Sequence, residues 1–200
     1  MLGTSIRQQR QRDARDLILA AAWDVVREEG LGGLTMRDLA ARVGMRAPSL
    51  YSYFASKNDI YDAMFRQGYE QMEASMRPFL DLDELDRETF RAASRVFFDF
   101  CTEDPDRYQL LFQRTLPGFE PSPESFSLAE ALMAKLQAAL TELGATEPSD
   151  VDMWTAISSG LTSQQIANDP GGDRWSRLLD EAIDMFFAHI DRRLERERKR

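Results

Sequence analysis

The chain has 200 residues, 43% hydrophobic and 30% charged, enough apolar material for one large or two small cores and too mixed a composition for disorder. A net charge of −9 argues against indiscriminate nucleic-acid binding, and one cysteine excludes an internal disulfide. With no apolar run near the roughly 18 residues of a membrane span and no apolar leader segment, a cytoplasmic protein without a membrane partner is expected. The charge is uneven. Residues 1–60 hold nine Arg or Lys against seven Asp or Glu, net +2, which leaves −11 for the remainder. A basic head on an acidic body orients the molecule toward phosphate.

In chain order, residues 5–15 carry Arg7, Arg10, Arg12 and Arg15 against a single Asp13. Such a run reads either as a solvated, frayed end or as an arm that touches DNA phosphates or the minor groove. From Leu17 the pattern is helical, with Leu17, Ile18, Ala21, Ala22, Val25 and Val26 on one side and Gly30 as the stop. Residues 35–54, TMRDLAARVGMRAPSLYSYF, then predict two short helices joined by a tight turn. Thr35 with Asp38 makes a capping-box pattern, and Met36, Leu39, Ala40 and Val43 form one buried stripe. Gly44 supplies a left-handed turn. Pro48 suits the first turn of the second helix, and Leu50 and Phe54 at i, i+4 anchor it inward. That leaves Arg46, Ser49, Tyr51, Ser52 and Tyr53 outside or at the edges. A helix entering the major groove needs such small residues for close approach and such polar groups for phosphates. Spacing alone is equally compatible with an ordinary helical hairpin in a small core.

The residues T-M-R-D-L-A-x-x-V-G, L-Y-x-Y-F and S-K-x-D-I resemble the DNA-binding signature of the TetR family of bacterial transcription regulators. The likeness runs without a gap over residues 17–65. It implies an N-terminal three-helix DNA-binding domain and a larger helical domain that dimerises and takes a small-molecule effector. The DNA contacts it implies fall on Thr35, Met36, Arg37, Arg46, Ala47, Pro48, Ser49, Tyr51, Ser52, Tyr53 and Lys57. Arg46 stands where members often have Ser or Thr, and Tyr53 where they often have His, so the preferred operator sequence does not carry over. Ser56 with Asp59 caps the next helix, which places Lys57 in its opening turn; a cation there works against the helix dipole unless a phosphate sits nearby. This helix is expected to end near Pro78.

The acidic stretch 81–88 reads as a connector. Phe90, Ala93, Phe97 and Cys101 mark an aromatic helix, and Asp104 and Pro105 open a short one with Tyr108, Leu111 and Phe112. Prolines 117, 121 and 123 make 116–126 a loop, either a pocket mouth or a connector. Leu128, Leu132, Leu136, Leu140 and Leu143 line the following helix up to Gly144. Phe97, Cys101, Tyr108, Phe112, Met133 and Trp154 are read either as core packing or as the wall of an effector pocket.

The last two helices carry the strongest amphipathic signal. Trp154, Ile157, Leu161, Trp175, Leu179, Ile183, Phe186, Phe187 and Ile190 are the expected dimer interface, because a two-helix hairpin buries only part of such a surface by itself. The segment W-T-A-I-S-S-G-L also resembles a C-terminal motif with Trp, His and Gly in a TetR subgroup, with Ser159 at the His position. Residues 192–200 read as a solvated basic tail.

His189 is the only histidine and Cys101 the only thiol, so no metal site is expected; no cofactor or catalytic motif is found either. The expectation is an all-α protein, residues 1–60 forming a helix-turn-helix domain and 61–200 a ligand-binding and dimerisation domain. It would be a homodimeric repressor on double-stranded operator DNA, released by an apolar or amphipathic small molecule. A ligand-independent DNA binder and a helical carrier or enzyme remain as alternatives.

Overall fold

The computed structural model describes residues 2–80 and 85–199. Among these the chain forms nine α-helices and no strand: α1 Leu2–Glu29, α2 Met36–Arg42, α3 Ala47–Tyr51, α4 Lys57–Leu80, α5 Arg87–Glu103, α6 Pro105–Phe112, α7 Pro123–Glu142, α8 Pro148–Asn168 and α9 Leu179–Arg198. Contacts divide the chain into two compact units, Met1–Tyr69 with Asp106–Ser127 and Glu70–Pro105 with Leu128–Arg200. The division therefore falls inside α4 and α7, and residues 106–127, assigned from sequence to the second domain, group with the first unit.

In the first unit, α1 buries Ile18, Ala21, Ala22, Val25 and Val26 as the spacing predicts, together with Leu19 and Trp23. Leu17 departs from the expectation and is 56% exposed. One residue before the stripe is a rotation of about 100°, which turns it to solvent. The helix also begins well before Leu17. Between Arg7 and Arg15 there is neither Gly nor Pro, so three further turns propagate from the buried part, with Gln9 donating to Asp13 one turn on at 2.8 Å. Gly30, at φ 75°, stops α1.

Residues 106–127 pack onto the first half of α4. Leu111 lies so close to Gly68 that a Cβ there would come within 2.9 Å of Leu111 Cδ2. The Tyr69 hydroxyl donates to the Leu111 carbonyl at 3.3 Å, and the Phe112 ring meets Tyr69 edge-on at 5.8 Å. Asp62 clasps the following loop: it accepts the Ser122 N–H at 2.6 Å and the Ser125 hydroxyl at 2.9 Å. Phe119 sits edge-on to Tyr61 at 5.6 Å. The loop is thus a packed strap. It is shorter than the prolines indicated, because Pro123 occupies the first turn of α7, where its missing N–H is not needed, and Ser122 Oγ accepts the Ser125 N–H at 3.2 Å.

In the second unit, α4 continues through Pro78 to Leu80, the proline being tolerated in the last turn. Residues 81–84 of the expected connector lie outside the described residues; Asp86 caps α5 by accepting the Thr89 N–H at 2.7 Å. The core joins Phe90, Phe98, Leu140, Trp154, Leu179, Ile183, Phe186, Phe187 and Ile190. Six of the nine residues expected at a dimer interface, Trp154, Leu179, Ile183, Phe186, Phe187 and Ile190, are thereby buried within a single chain, the most exposed at 4%. The reason is that α5 lies against α8 and α9 and covers their apolar stripe. Ile157, Leu161 and Trp175 stay partly exposed.

Along α5, Arg87, Arg91 and Arg95 reach across to α9 and the turn before it. Arg87 pairs with Asp191 at 2.6 Å, Arg91 with Asp184 at 2.7 Å, and Arg95 donates to the Ser176 carbonyl at 2.7 Å. The C-terminal basic run is not merely a tail. Arg193 makes two hydrogen bonds, at 2.5 and 2.6 Å, to Asp150 in the first turn of α8, whose side chain is 1% exposed.

Burial pushes the Asp150 carboxyl up, but hydrogen bonds from Arg193 and the Glu147 N–H, with the charges of Arg193 and His189, outweigh it and hold the group below the usual carboxylate range. Because the folded-state pKa is depressed, this stabilisation is present above the unfolded value of about 3.9 and is lost as pH falls through the folded one. Removing one partner strands a buried charge, so Arg193→Ala should cost about 3 kcal/mol in urea unfolding at pH 7. Asp150→Asn should also flatten the loss of stability on acidification below about pH 4.

Candidate nucleic-acid interface

Thr35 opens α2 as expected: its Oγ1 accepts the Asp38 N–H at 3.1 Å and donates to Asp38 Oδ2 at 2.5 Å. Gly44, at φ 66°, makes the turn, and Met45 N–H closes it on the Ala40 carbonyl at 2.8 Å. Arg46 precedes α3 in extended conformation, and Pro48 is in the first turn. Leu50 and Phe54 are buried at 0% and 2% exposure. The arrangement is two short helices joined at a tight turn and backed by α1.

Of the eleven residues assigned to DNA contact, Thr35, Arg37, Arg46, Pro48, Ser49, Tyr51 and Ser52 are exposed. The Arg37 side chain is 90% exposed and only loosely paired with Asp38 at 3.6 Å. Tyr51 is 51% exposed, a large ring held at the surface on the short helix. Ser52 Oγ donates to the Ser49 carbonyl at 2.6 Å, which ties the end of α3. Met36, Ala47 and Tyr53 are half-buried and pack against the core, so they shape the element from behind.

Lys57 stands half-buried in the first turn of α4, its Nζ 5.6 Å from the centre of the Tyr61 ring. The capping pattern before it forms in full. Asp59 N–H donates to Ser56 Oγ at 3.1 Å, and Ala55 N–H to Asp59 at 2.9 Å.

Arg15 behaves differently from its neighbours. Arg7, Arg10 and Arg12 are exposed on α1, but Arg15 is half-buried; its Nη1 donates to the Tyr53 carbonyl at 2.5 Å and its guanidinium lies 4.1 Å from the centre of the Phe54 ring. Neither expectation for the run, a solvated frayed end or an arm on DNA, includes this contact. The available signal was its register, since Arg15 precedes Ile18 and Ala22 by three and seven residues on the buried stripe.

The six residues read as an effector-pocket wall divide between the two units. Tyr108 and Phe112 stack at 5.6 Å in the first unit. In the second, Trp154 lies between Phe90 at 5.1 Å and Phe186 at 5.5 Å, Cys101 is buried, Phe97 is half-buried, and Met133 is 44% exposed. The second unit instead has an open cleft of about 630 Å³ lined by Val96, Phe98, Phe100, Asp99, Thr102 and Gln165 among others. Burial pushes the Asp99 carboxyl up, opposed by the charge of Arg95. Gln165 holds the cleft's rim: its Oε1 accepts the Trp175 and Ser176 N–H groups at 2.9 and 3.2 Å, and its Nε2 donates to the Gly172 carbonyl at 3.1 Å. Among the described residues no group of three or more His, Cys, Asp or Glu is placed to hold a metal, and no helix is long and apolar enough to cross a membrane.

Three helices with a tight turn between the second and third, and a slender, hydroxyl-bearing third helix facing outward, define a helix-turn-helix domain. Residues 18–64 match the family described as bacterial regulatory proteins, tetR family. The chain is 32% identical over 101 residues to the HTH-type transcriptional activator FasR of Mycolicibacterium smegmatis, covering 50% of this chain and 46% of that one. It is 25% identical over 196 residues to the HTH-type transcriptional repressor Rv1353c of Mycobacterium tuberculosis, covering 92% and 73%. The fold is shared with the transcriptional regulator FadR of Bacillus subtilis, solved in complex with stearoyl-CoA, at a TM-score of 0.70 and 17% identity over 86% of this chain and 96% of that one. Residues 18–64 thus carry a DNA-binding domain of the tetR family. The chain spans about half the length of the curated relatives that it matches first.

Since Thr35 is the sole side-chain cap of α2, Thr35→Ala should lower stability by about 1 kcal/mol, with Thr35→Ser retaining most of it. Paired urea titrations of the two variants would check this.

Proposed function

We propose that the chain is a sequence-specific DNA-binding transcription regulator, without enzymatic activity, that acts as a homodimer and represses until a small amphipathic molecule enters its second unit. The observation that carries the DNA reading is the exposed face of α3. Arg46, Ser49, Tyr51 and Ser52 stand outward while Leu50 and Phe54 are wholly inward, and Lys57 follows on the next helix. Small residues admit the element to the major groove, Arg46 and Ser49 near its start are suited to base edges, and Tyr51 and Lys57 to phosphates. At Lys57 the helix dipole and the ammonium would act together on one phosphate.

Dimerisation is supported by what α5 leaves uncovered. On α8, Ile157 and Leu161 stay partly open beside an exposed Gly160 where an added Cβ would meet nothing, and on α9 Met185 is 66% exposed. Two-fold pairing of such faces is the commonest way for soluble chains to cover them. It would set two recognition elements about 34 to 36 Å apart, one turn of DNA.

The effector reading is supported by the cleft's apolar wall, Val96, Phe98 and Phe100, beside polar Asp99, Thr102 and Gln165, and by the FadR neighbour solved with an acyl-CoA, itself amphipathic. The relatives include both an activator and a repressor; repression is taken from Rv1353c, a relative matched over 92% of this chain. A ligand would release DNA only to the extent that it binds the non-binding shape more tightly.

Selecting bound fragments from the source genome should return a pseudo-palindrome with half-sites one helical turn apart; a single asymmetric half-site would count against the dimer. On that duplex, Lys57→Ala and Tyr51→Phe should weaken binding to all sequences alike, whereas Arg46→Ala and Ser49→Ala should shift sequence preference by about 1 to 3 kcal/mol at one position. Anisotropy titrations against single-base variants of the site separate the two behaviours. Met185→Glu should push the protein toward monomer in analytical ultracentrifugation.

A further inference from the structure

We propose that Arg15 is a positioning residue for the recognition element: from α1 it sets the angle at which α3 meets DNA, and it does not itself bind phosphate. The proposal rests on the reading of α3 as that element. With five residues, α3 is far shorter than a helix that holds itself in water. Its apolar anchors, Leu50 and Phe54, lie four residues apart on one edge, so they fix the depth of the element and leave rotation about the line joining them weakly opposed. Such a rotation would swing Ser49 and Tyr51 toward or away from the groove together.

Arg15 opposes that rotation from 38 residues away. Its Nη1 donates to the carbonyl of Tyr53, just past the end of α3, while the flat face of the guanidinium covers the ring of Phe54, the next residue. Between the two side chains that are cationic at neutral pH, only arginine joins an in-plane donor to a stacking face; lysine keeps the charge and loses both the stack and the fork. Held in this way the Arg15 side chain is half-buried, in contrast to Arg7, Arg10 and Arg12 on the same helix, which are exposed.

The test pairs Arg15→Lys with Arg15→Ala and reads two independent signals at a temperature where circular dichroism shows both variants folded. In the DNA-free protein, amide hydrogen exchange over residues 49–55 should quicken about tenfold in both variants while α4 stays unchanged. On the selected duplex, specific affinity should fall about tenfold in both, with random-sequence affinity and the slope of log K against log salt unaltered. Wild-type affinity restored by lysine, with a slope reduced by about 0.9 in the alanine variant, would make Arg15 a phosphate contact and overturn the proposal. Unchanged exchange over 49–55 would overturn it whatever the DNA results, and so would a lowered Tm with an unchanged ratio of specific to random affinity. Faster exchange in a protein whose wild type prefers no duplex would uphold Arg15's hold on α3 and defeat the DNA-binding reading instead.

Discussion

A five-residue helix contains too few internal hydrogen bonds to persist alone, so α3 exists only because its surroundings hold it. Leu50 and Phe54 are buried under α1, Gly44 sets the approach from α2, and Arg15 grips the far end through Tyr53 and Phe54. The rest of the first unit serves this arrangement. Ile18, Ala22, Val25 and Val26 supply the floor, Leu39 and Ala40 of α2 close one side, and Ile60, Tyr61 and Met64 of α4 close the other. Because its inward contacts are made by so few residues, the outward ones are left to carry small and polar side chains without loss to the core.

The segment 106–127 extends the same logic to α4. That helix starts three residues after Phe54 with a complete Ser56–Asp59 cap, and its first turns are gripped by Phe119, Ser122 and Ser125 from a distant part of the chain. The close approach of Leu111 to Gly68 adds a second grip further along. Long-range contacts of this kind make the placing of the first turns of α4 depend on residues about 60 positions further along the chain.

The second unit is held by aromatic burial and oriented by charge. Trp154, Phe90, Phe186 and Phe187 form a cluster with ring centres 5.1 to 5.5 Å apart, which supplies the apolar area. The arginines along α5 sit over this cluster and meet the aspartates of α9; the Arg87 guanidinium also lies 4.6 Å from the centre of the Phe187 ring. Exposed pairs of this sort are worth at most about 1 kcal/mol each, so their main effect is on the register of α5 against α9. Asp150 with Arg193 differs in kind, because its carboxylate is buried and its partner is then obligatory.

The sequence by itself determined the helical class, the caps at Thr35 and Ser56, the left-handed glycines at 30 and 44, the inward anchors Leu50 and Phe54, and the resemblance of the DNA-binding domain to that of TetR regulators. All of these are local: a cap, a turn or an i, i+4 stripe involves residues within about one helical turn, and that spacing is visible in one dimension. Only the tertiary structure decided which apolar face covers which. It placed α5 over the stripe of α8 and α9 and so turned six of the nine expected interface residues into core, moved 106–127 into the first unit, and drew Arg15 and Arg193 out of apparent basic tails into specific contacts. An amphipathic pattern states that a face is buried and leaves its partner unnamed, and an arginine's charge does not reveal whether it meets solvent, phosphate, a ring or a buried carboxylate.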